Sequence, residues 1–136
     1  MAQEIKDIAS LNLAFLGDAV YELILREYVV RHYKGNVNAL NKKTTAYSKA
    51  VTQAQISDIL LGKTEDGSCF LSEEEQTVFR RGRNSKSVSI PKSCTPSEYR
   101  KATGFEALIG YLYLQDRKER IMEIITYGID KYQENK

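Results

Sequence analysis

Apolar residues recur at intervals of three and four along almost the whole chain, and this spacing constrains the fold more than any other feature. Leu13, Leu16, Val20, Leu23 and Ile24 follow it in the first long segment, with Tyr28 near its end. Ile121, Ile124, Ile125 and Ile129 follow it in the last. No stretch sustains period-two alternation, and there is neither an Asn-Gly hairpin nor an internal repeat. The expectation is an all-α bundle with residues 1–136 as one domain.

Local signals place the helix ends. Ser10 is a predicted N-cap and Gly35 a predicted stop for the first helix. Asn38 is the predicted cap of a region from about 39 to 62, bent or split near Tyr47–Lys49 and closed by Gly62. "KTEDGSC" reads as a loop. "SEEE", Ser72 to Glu75, is a capping box that starts a short helix to about Arg81. "GRNSKSVSIPKSC", rich in serine and punctuated by Gly82 and Pro91, reads as a long loop. "TPSE", Thr95 to Glu98, is a second capping box with Pro96 at the first helical position, opening a helix from 96 to about 114. A turn at "QDRK" leads to a last helix over 117–133.

Of the 136 residues, 42% are apolar and 28% charged, enough to build a core without staples and too apolar for a disordered chain. No apolar run reaches the roughly 18 residues of a membrane span, and "MAQEIKDIAS" lacks a signal-peptide layout, so a cytoplasmic protein without membrane attachment is expected. Cys69 and Cys94 make neither a disulfide framework nor a zinc motif and are expected to be reduced. His32 is the only histidine, which excludes H-E-x-x-H zinc proteases and histidine-rich phosphohydrolases; no G-x-x-x-x-G-K-[ST] loop is present. From Gln76 to Ser97 there is no acid but five bases, Arg80, Arg81, Arg83, Lys86 and Lys92, whereas the rest of the chain carries 15 bases against 18 acids. A mildly acidic body with one basic segment points to a polyanionic partner. Arg81, Arg83 and Lys86 are the leading contacts, with Asn84 and the serines as uncharged donors; Lys42 and Lys43 are weaker candidates.

Two acids stand inside otherwise apolar helical stretches. In "LNLAFLGDAVYELIL" Asp18 follows Gly17, and in "GFEALIGYLYL" Glu106 precedes Gly110 by one turn. A glycine inside a helix costs about 1 kcal/mol relative to alanine, so both demand a reason, and close approach of another helix supplies one. A crossing at these glycines would bring Asp18 and Glu106 together. Two carboxylates about 5 Å apart repel by roughly 3 kcal/mol at an effective dielectric near 20, and a shared proton or a cation must offset this. Magnesium suits a site of one or two carboxylates completed by waters and phosphate oxygens. With the basic segment, this points to metal-assisted hydrolysis of a phosphodiester. Glu22 and Glu27 read as solvated helix edge, with Glu22, one turn beyond Asp18, as the nearest spare carboxylate in a surface or supporting role rather than a metal ligand, and Leu13, Ala14 and Gly17 as either core or subunit seam. Tyr111, Tyr113 and Tyr127 read as core or subunit contact rather than base-stacking groups.

"LNLAFLGDAV" and "FEALIGYLYL" resemble the two signatures of the ribonuclease III endonuclease domain, which read E-R-L-E-F-L-G-D-A and D-x-x-E-A-L-I-G. Phe15, Leu16, Gly17, Asp18 and Ala19 match the first signature, and Glu106, Ala107, Leu108, Ile109 and Gly110 match the second. The likeness runs over roughly residues 10–115. The family's other acids fall on Leu11, Ala14 and Thr103 here. Those departures, the short C-terminal part with no room for a double-stranded-RNA-binding domain, and "RRGRNSKS" followed by "PK" are similar to the compact bacterial Mini-ribonuclease III subgroup. The resemblance implies a homodimer whose two sites line one valley. It also implies Asp18 and Glu106 as catalytic residues holding Mg²⁺, with Mn²⁺ as a substitute. The RNA-binding set becomes Arg80, Arg81, Arg83, Asn84, Lys86 and Lys92, and the products carry 5′-phosphates and 3′-hydroxyls. The implied substrate is a double-helical stem of precursor 23S ribosomal RNA, and a ribosomal protein is a further partner to test. The reduced acid set keeps one alternative open, an RNA-binding or ribosome-assembly module of this fold that cuts weakly or not at all.

Overall fold

The computed structural model describes residues 2–86 and 89–135. Within them a short 3-10 turn at Ile5–Asp7 leads into α1 (Ser10–His32), α2 (Val37–Ser48), α3 (Ala50–Leu61), α4 (Glu73–Arg83), α5 (Pro96–Leu114) and α6 (Lys118–Glu134). No β-strand occurs among the described residues, only an isolated bridge between Lys63 and Cys69 that closes the "KTEDGSC" turn. Two helix starts differ from expectation. The N-cap of α1 is Ala9, with Ser10 already helical, and α2 is capped by Asn36 rather than Asn38, through a hydrogen bond from the Ala39 N–H at 3.0 Å. The predicted split near Tyr47–Lys49 falls at Lys49, whose extended backbone (φ −66°, ψ 145°) ends α2 and caps α3. Both predicted capping boxes form. The 3-10 turn was not foreseen; it has no buried side chain to give it a periodicity.

α5 is the hub, packed most extensively against α1 and then against α4 and α3. Phe105, Leu108, Ile109 and Leu112 are completely buried on it, as are Ile121, Ile124 and Ile129 of α6. Each such side chain contributes roughly 1.5–3 kcal/mol by leaving water. Leu23, which follows the helical spacing, is 64% exposed, whereas α1 buries Val20, Tyr21, Ile24 and Leu25. Tyr113 is also exposed, whereas Tyr127 is half-buried and stacked on Phe70 at 4.0 Å between ring centroids.

One polar clamp joins α4 to α6. Glu75, the last residue of the "SEEE" box, is fully buried and receives Arg120 Nη2 at 2.7 Å and Nε at 2.8 Å. Arg120 also donates to the Phe70 carbonyl at 2.9 Å. Burial raises the Glu75 pKa, but the guanidinium and the Ser72 N–H outweigh it and hold the carboxyl below its usual range.

Candidate active site

The site is built from a crossing of α1 and α5 in which backbone meets backbone. A Cβ on Gly17 would lie 1.7 Å from the Glu106 carbonyl oxygen and 2.9 Å from the Gly110 N. Reciprocally, one on Gly110 would lie 2.1 Å from the Leu13 carbonyl oxygen. Neither position admits a side chain, which accounts for both helix-interior glycines. Leu13 and Ala14 pack on Ala107 beside them, so these residues and Gly17 belong to the interior of the chain, not to a seam between subunits.

The crossing brings Asp18 and Glu106 together. Asp18 is exposed and Glu106 is half-buried. The Glu106 carboxyl is pushed up to about 8, first by burial, then by its hydrogen bond with Asp18 and by the Asp18 charge; a hydrogen bond with the Gln53 side chain pulls the other way. The raised carboxyl favours a proton held between the two side chains. A divalent cation would relieve the same repulsion. Among the described residues no set of three His, Cys, Asp or Glu side chains is placed to hold a metal, and the pair alone would leave a cation's other positions to other oxygens. That donor set fits Mg²⁺, which retains waters and binds through one or two carboxylates.

An open cleft of about 410 Å³ lies alongside, lined by Asp18, Ala19, Tyr21, Glu22 and Ser48. Tyr21 forms its floor: the hydroxyl donates to the Tyr47 carbonyl at 2.8 Å, and burial, then the charges of Glu22 and Glu106, push the phenol up. Glu22 keeps the partly solvated helix edge expected of it, but only one of its oxygens faces outward. One carboxylate oxygen pairs with Arg26 at 3.2 Å, while Oε2 is buried with no hydrogen-bond partner. Gln53, which drew no attention in the sequence, is 3% exposed; its Nε2 donates to the Ser48 carbonyl at 3.1 Å and its Oε1 is unpartnered. The positions where the resembling family carries further acids hold no acid that could add to the pair. Leu11 is 41% exposed, Ala14 is buried, and the Thr103 hydroxyl donates to the Tyr99 carbonyl at 3.0 Å.

The basic segment is less of a loop than its composition suggests. α4 runs through Arg83, two residues beyond the predicted end, so Arg80, Arg81 and Arg83 occupy its last turns and Asn84 is the C-cap. Gly82, expected in a loop, sits in this helix because α5 meets it there. A Cβ on Gly82 would lie 2.9 Å from the Gly104 Cα, and one on Gly104 would lie 2.7 Å from the Phe79 carbonyl oxygen. Arg80, Arg81, Asn84, Lys86 and Lys92 are exposed and Arg83 is half-buried, its guanidinium 6.0 Å from the Phe79 ring centre. Ser87 and Val88, within the predicted serine-rich loop, lie outside the described residues. Lys42 and Lys43 are exposed on α2, with Lys43 over the Tyr33 ring at 4.7 Å. Cys69 and Cys94 are free thiols, and no helix among the described residues is long and apolar enough to cross a membrane.

The Ribonuclease III domain family model matches residues 11–117, a span that takes in α5 and all of α1 but its first residue. The chain is 42% identical to Mini-ribonuclease 3 of Clostridium tetani over 98% of its own length and 84% of that protein. It is 39% identical to Mini-ribonuclease 3 of Enterococcus faecalis, over 95% and 94% of the two chains. Among solved structures, an X-ray crystal structure of a Fusobacterium nucleatum protein superposes with a TM-score of 0.76 at 36% identity, covering 96% of this chain and 99% of that one.

Proposed function

From the premise that the chain belongs to the ribonuclease III family, as an endoribonuclease of the Mini-ribonuclease 3 kind, we propose that it hydrolyses double-stranded RNA with Asp18 and Glu106 as its catalytic pair. The observation that carries this is the approach of two carboxylates far apart in sequence, at a crossing where neither helix has room for a side chain. These two residues would hold Mg²⁺, with Mn²⁺ as a substitute. When bound, the cation supplies Lewis acidity and a water of lowered pKa for in-line attack at phosphorus. Residues 1–136 act as one catalytic domain.

The chain's own part begins with a proton. Glu106 must lose it before the pair can accept a cation, so loading the site near neutrality releases a proton. Arg80, Arg81, Arg83, Asn84, Lys86 and Lys92 hold the RNA, through phosphates and the shape of the minor groove. The tight α4–α5 contact fixes Arg80, Arg81 and Arg83 relative to the helix that carries Glu106.

Phe15 is 84% exposed and Leu11 41%, one turn apart on α1 and next to Asp18. An aromatic ring this exposed beside a site supports a homodimer in which a second copy covers it and two sites share one valley. A double-helical stem of precursor 23S ribosomal RNA is the proposed substrate, in the cytoplasm, with a ribosomal protein as a partner to test. The deciding experiment incubates a long RNA duplex and Mg²⁺ with the parent protein and with Asp18→Asn. The proposal expects cleavage to 5′-phosphate and 3′-hydroxyl ends by the parent alone, with duplex binding retained in the variant. A parent that binds duplex but never cuts would refute it in favour of an RNA-binding module.

A further inference from the structure

Three side-chain acceptor atoms among the described residues are buried without a hydrogen-bond partner, and two of them, Gln53 Oε1 and Glu22 Oε2, lie beside the Asp18–Glu106 pair. Such orphans are rare in folded proteins, and water normally satisfies them. Their placement is shared. Glu22 stands one helical turn from Asp18, on the same face of α1, and lines the same cleft as Asp18 and Ser48. Gln53 reaches from α3, donating to the Ser48 carbonyl and hydrogen-bonding the Glu106 carboxylate.

Charge balance assigns them a role different from that of the pair. Asp18 and Glu106 together match a divalent cation. Glu22 already has Arg26 at 3.2 Å to offset its charge, and Gln53 is neutral. Gln53 adds no charge to the centre and the charge of Glu22 is partly offset by Arg26, yet each offers an acceptor oxygen turned away from bulk water.

Resting on the metal-dependent reading above, we propose that Gln53 and Glu22 are positioning residues that complete the cation site. Gln53 fixes the Glu106 carboxylate from α3, and Gln53 Oε1 and Glu22 Oε2 accept hydrogen bonds from the waters a hydrated divalent cation carries. A cation with only two protein carboxylates keeps several waters, and these need oriented acceptors to bind in one arrangement.

The test uses purified full-length protein without RNA, titrated with Mn²⁺ and with Mg²⁺ in a calorimeter, with circular dichroism as a check on folding. Gln53→Met conserves volume while removing both the donor and the acceptor. Glu22→Ala is at the edge of the helix and keeps the fold even where a buried substitution fails. Removal of an outer-shell partner typically weakens metal binding by about 10- to 100-fold, and each variant is expected to lose at least about tenfold. Asp18→Asn is expected to abolish binding. If Asp18→Asn abolishes it but both other variants bind like the parent, this inference is overturned and the nuclease proposal stands. A loss in only one variant removes the other residue from the site. Unchanged binding by Asp18→Asn overturns the metal reading itself, and this inference with it.

Discussion

Gly17→Ala tests the crossing on which the site depends, because two effects of the substitution have opposite signs. Helix propensity alone favours alanine by about 1 kcal/mol in a helix interior. The structure opposes it: the new Cβ would lie 1.7 Å from the Glu106 carbonyl oxygen. An ordinary contact of this kind is about 3.2 Å, so α1 and α5 would have to separate by roughly 1.5 Å, and the obstacle is backbone that cannot rotate away. Overpacking of this severity costs about 3 kcal/mol or more, leaving a net loss of at least about 2 kcal/mol after the propensity gain. For a chain of this size that lowers the melting temperature by on the order of 5–10 °C. The separation also carries Glu106 away from Asp18, so its pKa should fall from about 8 toward the usual carboxylate range. Thermal melts followed by circular dichroism and a carboxyl-selective NMR titration of Glu106 measure both effects. A variant as stable as the parent, or more so, with the Glu106 titration unmoved, would show that no close crossing exists.

In the metal-free protein the raised Glu106 pKa favours the folded state below about 4.5 and that contribution disappears as pH rises through about 8, so chemical-denaturation stability should decline between these values. Mg²⁺ should reverse the decline, and Asp18→Asn should flatten both the pH dependence and the Mg²⁺ effect; a stability that rises with pH over this window would refute the shared proton. Calorimetry at pH 7 in buffers of different ionisation enthalpy should detect proton release on Mg²⁺ binding, and buffer-independent heats would count against it. Arg81→Ala, Arg83→Ala and Lys86→Ala should each weaken duplex binding and together flatten its salt dependence; an unchanged salt slope would remove the segment from RNA binding. Arg120→Met strands the buried Glu75 carboxylate and should cost about 3–5 kcal/mol in a denaturant titration, whereas a near-neutral effect would mean the pair is open to water.

What could be read in advance was local or doubly marked. "SEEE" and "TPSE" carry both partners of their hydrogen bonds within four residues, so the starts of α4 and α5 were visible in the sequence. Gly17 beside Asp18 and Gly110 near Glu106 were legible because each glycine is costly in an apolar helix and each has an acid as neighbour. Gly82 and Gly104 make the same kind of contact but escaped notice. Gly82 sits in "RRGRNS", where glycine among polar residues signals a loop, and only the packed α5 makes it helical. The exposure of Leu23 was not legible, because helical spacing alone does not say which apolar stripe faces the neighbour. Glu75 and Arg120 are 45 residues apart, and nothing local links them. Gln53 carries no charge and lies in an ordinary helical stretch; its meaning comes from Ser48 and Glu106, which the fold alone brings to it.

α5 is gripped by glycine contacts on two sides, at Gly110 against α1 and at Gly104 against α4. Main chain touching main chain leaves no rotamer to adjust, so the interval between the arginines that would grasp a strand and the acids that would sever it behaves as a fixed gauge. An enzyme calibrated in this way should cut at the same nucleotide when warmed or cooled, its rate changing while its ruler does not.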